Sequence, residues 1–344
     1  MARPDSEIFV GGSKPAQQWR VRQPYGPKLI LGLLFAAVLL ALSARHTQID
    51  KMLVMTAEWA AQIVGLRPSS EVGKGAKRFA DTAFPLVFHE EAPVSRIEKF
   101  DRNNLPWLSH LETRTVESAR YDFDRNEMVA DFEKQEFLVK PVGYLVYVCE
   151  KMIETLEMAL WATLLSIVIS LPLAYFGARN YSPNRFTYSA SRLTSSFLRA
   201  MPELVAALFL VLMYGFGPIA GVLALGLHCA GFFGKFYADD IENAERGPQE
   251  ALIATGAGKL AVLRYAVIPQ VLPQYIAYTQ YILERNVRMA TVIGVVGAGG
   301  IGIELKGRFD MFDFGHVSTI LLVIFLTVLG LERISQWLRK RIIR

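Results

Sequence analysis

Cysteine is scarce in this chain, with Cys149 and Cys229 the two in 344 residues. Both lie in or beside apolar segments and share no motif spacing, which argues against a disulfide framework or a thiolate metal site and for small buried hydrophobes. Charge is scarce too. Asp, Glu, Lys and Arg make up 20% of the residues against 52% hydrophobic, and the mean hydropathy is positive, which is too apolar for an ordinary soluble domain of this size. No Gly-x-x-x-x-Gly-Lys-Ser/Thr phosphate loop is present, since Gly231-Phe232-Phe233-Gly234-Lys235 lacks both the spacing and the hydroxyl residue; any nucleotide chemistry must fall to another chain. The net charge of +5 comes without a basic stripe of interleaved aromatics, so nucleic acid is not an expected partner. The opening MARPDSEIFVGG lacks the basic region, apolar stretch and cleavage site of a signal peptide, so the first apolar run is expected to stay as an anchor.

What the chain does have is long stretches without charge. Met158 to Ala178, Leu204 to Gly234 and Phe314 to Leu331 contain no Asp, Glu, Lys or Arg. A helix that satisfies its own backbone hydrogen bonds needs about 20 such residues to cross a bilayer. The expected class is an all-α polytopic membrane protein of about six spans, at about 28–44, 150–178, 195–214, 218–238, 266–294 and 315–335. Gly-Phe-Gly-Pro at 215–218 marks a tight reversal between the third and fourth.

The polar parts divide as follows. Residues 1–28 read as a cytoplasmic tail, and 29–66 as the first span followed by an amphipathic helix, with Ile49, Met52, Leu53, Thr56, Ala60, Ile63 and Val64 on one face. Residues 67–140 are rich in charges of both signs and read as a soluble, mixed insertion, whose 113–139 stretch is either a β-hairpin turning at Asp124-Arg125-Asn126-Glu127 or a mostly irregular loop. The remainder, 141–344, is the membrane core. Placing both termini inside gathers Arg179, Arg185, Arg192, Arg199, Lys235, Arg246, Lys259, Arg264 and Arg339 in the cytoplasm and leaves Lys306 and Arg308 in the outer loops. Positive residues concentrate inside, so the insertion is expected to be extracytoplasmic.

On the cytoplasmic side, where a coupling loop is expected at 240–265, the chain reads GPQEALIATGAGKLAVLRYAVIPQVLP from 247 to 273. Ala251, Leu252, Ala254 and Thr255 offer a small-sided helix able to seat in a groove on another protein, and Gly256 allows a turn after it. The sequence here resembles the coupling loop of ABC importer permeases, marked by Glu-Ala-Ala, three residues, Gly, nine residues, then Ile, any residue, Leu and Pro. Glu250-Ala251-Leu252, Gly256 and Ala266-Val267-Ile268-Pro269 fall in register, with Leu252 and Ala266 as conservative departures. Over about 150–335 the chain is similar to phosphonate importer permeases, through GKFYADDIENAERGPQEALIATGA and LERNVRMATVIGVVGAGGIGIEL; the insertion departs from that family. The resemblance implies a type I importer fold in the inner membrane, a second permease copy, two ATP-binding cassette subunits that hold ATP and Mg, and a periplasmic or surface-tethered binding protein. It also implies a phosphorus oxyanion as cargo, with no cofactor or catalytic residue in this chain. An importer for methionine or another small solute, an integral-membrane phospho-transfer enzyme and a passive channel are the competing readings.

Within the fifth span, Glu284, Asn286 and Arg288 are the candidates for the translocation pathway, since ionisable groups in a membrane face a partner or a polar route. Glu284 and Arg288 share a helix face and either form a structural ion pair or, through the Arg288 guanidinium, meet an anion. Gly297, Gly299, Gly300 and Gly302 are candidates for close packing or a flexible outer gate, with backbone amides open to an oxyanion as the other use. His228 reads as a packing residue, and Glu203 as a carboxylate favouring a helix N-terminus.

Overall fold

The structure, a computed structural model, describes residues 26–97, 100–102, 104–122 and 127–342. The tail expected at 1–28 therefore lies almost wholly outside the described residues, as does most of the expected hairpin turn. The chain divides into two compact units at Phe79/Ala80.

In the first unit, α1 (Pro27–His46) is apolar without interruption from Leu29 to Leu42, and those residues are exposed. Next, α2 (Ile49–Ile63) has the expected amphipathic face and buries no residue. Gly65 then turns the chain at φ +82°, and Ser70 donates its hydroxyl to Gln62 Oε1 at 2.6 Å, fixing the start of α3 (Glu71–Ala83).

The second unit carries a small sheet and a helical bundle. β1 (Glu90–Pro93), β2 (His110–Asp122) and β3 (Glu127–Lys140) form an antiparallel sheet in the order β1-β3-β2, with His110 opposite Val139 and Asp122 opposite Glu127. Of the two readings left open, the alternating segments adopt the hairpin. The base of the sheet is planted on the bundle. Leu138 and Val139 are buried, the Tyr144 amide donates to Phe88 O at 3.1 Å, and Thr319 donates its hydroxyl to Val87 O at 2.7 Å.

The bundle comprises α4 (Gly143–Gly177), α5 (Arg185–Ala200), α6 (Glu203–Tyr214), α7 (Pro218–Asn243), α8 (Arg246–Ala254), α9 (Lys259–Val262), α10 (Ile268–Gly294), α11 (Ile301–Asp310) and α12 (Phe314–Ile342). With 35 residues α4 is about 52 Å long, so it overruns a hydrocarbon core of about 30 Å and begins earlier than the expected span. Gly215 and Gly217, at φ +86° and +143°, make the expected reversal into α7, which starts on Pro218.

The expected span at 195–214 is not one helix. α5 and α6 meet at 90° across Met201-Pro202, and α6 alone, at 12 residues, is about 18 Å long. Proline lacks the amide hydrogen that would continue α5 and pushes Met201 into an extended conformation, ψ 123°. Among the described residues, α4, α7 and α12 are long and apolar enough to cross a membrane, or five spans exist if α1 with α2 and α5 with α6 each count as one. The fifth run read in the sequence is α10. It has 27 residues, but its charged cluster together with Gln270, Gln274 and Gln280 leaves it less apolar than α4, α7 and α12.

Small residues set the packing. α7 lies chiefly on α4 and also meets α5, α6 and α10, through Ala220, Ala224, Ala230 and Ala238, all fully buried. A Cβ at Gly231 would lie 2.6 Å from Ser195 O, so α5 crosses α7 at a distance that glycine alone permits.

Candidate functional site

The predicted coupling segment folds as a helix, a turn and a short second helix. α8 buries none of its residues; Glu250, Ala251, Ala254 and Thr255 are exposed and Leu252 is half-buried. Its end is closed by backbone bonds, with the Gly256 amide donating to Ile253 O at 2.9 Å and the Ala257 amide to Leu252 O at 3.2 Å. Gly256 takes φ +83°, the left-handed conformation that glycine adopts without steric cost. The segment is tied to the bundle where the Glu245 amide donates to Gln270 Oε1 at 3.0 Å. Ile253, Leu260 and Tyr265 stand 59%, 69% and 65% exposed around it. Sequence reasoning did not single these three out, because in the motif they occupy unspecified positions. Of the three, Ile253 lines a cleft of about 540 Å³ together with Arg246, Gln249, Glu250 and Lys259.

The polar cluster of α10 splits three ways. Arg288 Nη1 donates to Glu284 Oε1 at 2.7 Å, and its side chain is 45% exposed while that of Glu284 is 16% exposed. Asn286 is fully buried; it donates to Thr163 Oγ1 at 2.9 Å and accepts from Cys229 Sγ at 3.1 Å. In this placement Asn286 ties α10 to α4 and α7.

Arg285, absent from the predicted site, enters the buried centre. Its guanidinium donates to Glu203 on the first turn of α6, lies 3.3 Å from His228 Nε2 and stacks over Phe232 at 5.5 Å. His228 completes the group, with Nε2 2.9 Å from Glu203 Oε1 and Nδ1 3.0 Å from Met201 O. A carboxylate whose side chain is 4% exposed needs such a counter-ion. The group pins α6, α7 and α10 together beside the Met201-Pro202 break. Singly, Glu203 and His228 each had a bland local explanation, and no spacing rule links residues 82 positions apart.

The glycine stretch packs tightly. A Cβ at Gly294 would lie 2.6 Å from Gly299 O, and one at Gly302 would lie 2.3 Å from Thr291 O. Gly297, Gly299 and Gly300 have φ of +93°, +95° and +70°. Within the stretch Gly300 N donates to Glu154 Oε1 at 3.1 Å and Ile301 N to Thr155 Oγ1 at 2.8 Å.

Comparison with known proteins agrees with this architecture. Residues 166–344 match the family described as "Binding-protein-dependent transport system inner membrane component". The "Putative phosphite transport system permease protein HtxE" of Stutzerimonas stutzeri is 57% identical over 260 residues, which cover 76% of this chain and 100% of that protein. The phosphite transport system permease protein PtxC of Stutzerimonas stutzeri is 42% identical over 198 residues, 58% of this chain and 72% of that protein. Among solved structures, a chain of the inward-facing MetNI methionine ABC transporter superposes with a TM-score of 0.51 at 20% identity, covering 58% of this chain and 97% of that one; this likeness shows the fold. A bundle with an exposed small-residue loop at one end, matched over its core by this family, is a transport subunit and not an enzyme: the chain belongs to the binding-protein-dependent transport system inner membrane components, as an ABC transporter permease.

Proposed function

We propose that this permease carries phosphite, phosphonate or a related phosphorus oxyanion inward, driven by ATP hydrolysed on separate subunits. The observation that carries the substrate class is the 57% identity along the whole of a relative named for phosphite transport. The methionine reading has the shared fold at 20% identity behind it, and a fold alone does not select a substrate.

In this reading two copies of the chain enclose the path. α8 of each copy seats in a groove of an ATP-binding cassette subunit, since its small side chains are exposed and Ile253 on it, with Leu260 and Tyr265 after it, adds exposed apolar surface. ATP-driven closure of those subunits draws the two α8 helices together. Because α8 is bonded to α10 through Glu245 and Gln270, the pull reaches the helix that carries Glu284 and Arg288. Arg288, half-exposed on α10, offers a forked donor to an oxyanion. A binding protein delivers the cargo from the side of the β-sheet, opposite to α8.

Uptake of labelled phosphite in cells lacking other phosphorus-oxyanion importers tests this reading. Uptake is expected to require the permease, its binding protein and ATP. Uptake of methionine with none of phosphite, phosphonate or hypophosphite would overturn the substrate class, and uptake unaffected by ATP depletion would overturn the mechanism.

A further inference from the structure

α5 is amphipathic in the reverse sense to a helix of a soluble protein. Its small polar face is buried. Ser191 donates its hydroxyl to Leu173 O at 2.6 Å, and Ser195 lies against α7 at Gly231 and Gly234. Phe186, Leu193 and Phe197 recur at helical spacing on the opposite face and are 79%, 71% and 63% exposed. Such a row is stable only against lipid or another protein.

Beside the first residue of that row opens a cleft of about 560 Å³, lined by Arg179, Ser182, Asn184, Arg185, Tyr188 and Ser189. Neither the Arg179 nor the Arg185 guanidinium has a carboxylate partner among the described residues. Arg179 instead sits over the Tyr188 ring at 5.6 Å, and Arg192 over the same ring at 5.4 Å. The neighbouring carboxylates are already engaged. Asp239 and Glu242 both take Arg192, and Glu242 also accepts the Arg179 backbone amide at 2.6 Å. The cleft thus presents two uncompensated guanidiniums and several hydroxyls, a donor set suited to a phosphate group.

We propose that this cleft binds the phosphate of an anionic phospholipid, with Phe186, Leu193 and Phe197 lying against its acyl chains. The charge of the cleft and the apolar row next to it match the two ends of one such molecule, and the 90° turn at Met201 lays α5 across the direction of α6. On the orientation proposed above, the lipid belongs to the cytoplasmic leaflet, whose negative surface attracts basic residues near it.

The test is native mass spectrometry of the full chain purified in detergent with its partner subunits, titrated with phosphatidylglycerol or phosphatidylcholine. Phosphatidylglycerol is expected to be retained and phosphatidylcholine not, and the R179Q/R185Q variant should retain it about 30-fold less, at about fivefold per charge. The R179K/R185K variant should keep most of the binding, which controls for folding. Equal retention of both lipids, or displacement of phosphatidylglycerol by millimolar inorganic phosphate with the acyl chains making no difference, would overturn the lipid assignment. So would spontaneous cross-linking of Leu193→Cys between two permease copies, which would make the row a protein interface. Retention in detergent does not depend on which leaflet the cleft faces, so failure here leaves the import reading intact.

Discussion

Arg285 on α10 pairs with Glu203 on the first turn of α6, and both lie beside the one break that turns α5 away from α6. The pair, with His228 between them, fixes where a short helix meets a long one. A buried ion pair gives weak net stability but is costly to break from one side, because the remaining charge is left without compensation.

Replacing Glu203→Leu or Arg285→Met alone is therefore expected to destabilise the protein by about 3–5 kcal/mol. The double replacement should recover most of that loss. Thermal unfolding of the three variants in detergent measures it, and additive losses would show that the two side chains do not act as a pair.

Asn286→Leu removes a side chain that donates to Thr163 and accepts from Cys229 inside the bundle. Leaving those groups unsatisfied costs about 1–3 kcal/mol. Transport should fall only in proportion to the amount of folded protein; a fall at unchanged protein level would place Asn286 in the pathway.

Arg288→Met breaks an exposed pair worth at most about 1 kcal/mol, so assembly and melting temperature should hold. Uptake should be lost. Uptake equal to that of the unmodified protein would remove Arg288 from the route.

At the loop, Ala251→Trp should leave thermal stability within about 0.5 kcal/mol, since α8 buries no residue and surface changes are mild. The same variant should lose the ATPase subunits on co-purification. Retention of those subunits with normal uptake would show that α8 is not the docking helix.

Acid should act at the corner between α11 and α12. Burial works to raise the Asp313 carboxyl, but hydrogen bonds with His316 and Arg308 and their charges outweigh it and hold the group below the ordinary carboxylate value of about 3.9. A depressed value in the folded state stabilises the protein above that ordinary value, and the contribution is lost as pH falls below it. Melting temperature measured from pH 6 to pH 3 should fall more steeply below pH 4 in the unmodified protein than in Asp313→Asn.

Much of the bundle is legible in the residues alone. Charge-free runs mark α4, α7 and α12 because a backbone in lipid must bond to itself, and Gly256 with Pro269 brackets the loop because each suits one backbone geometry. Proline at 202 was equally visible, yet the span was read through it, since apolar composition on both sides is the same whether the helix continues or turns by 90°.

By itself the sequence determined which segments are apolar and where the small-residue loop lies. Only the tertiary structure decided which polar residues meet. Local spacing relates residues three or four apart, as it does for Glu284 and Arg288. The partnership of Glu203, His228 and Arg285, the burial of Asn286 and the lack of a carboxylate partner for Arg179 and Arg185 among the described residues depend on which helix faces which across the bundle. That choice is made by small residues and close approach, which carry no periodic signal of their own.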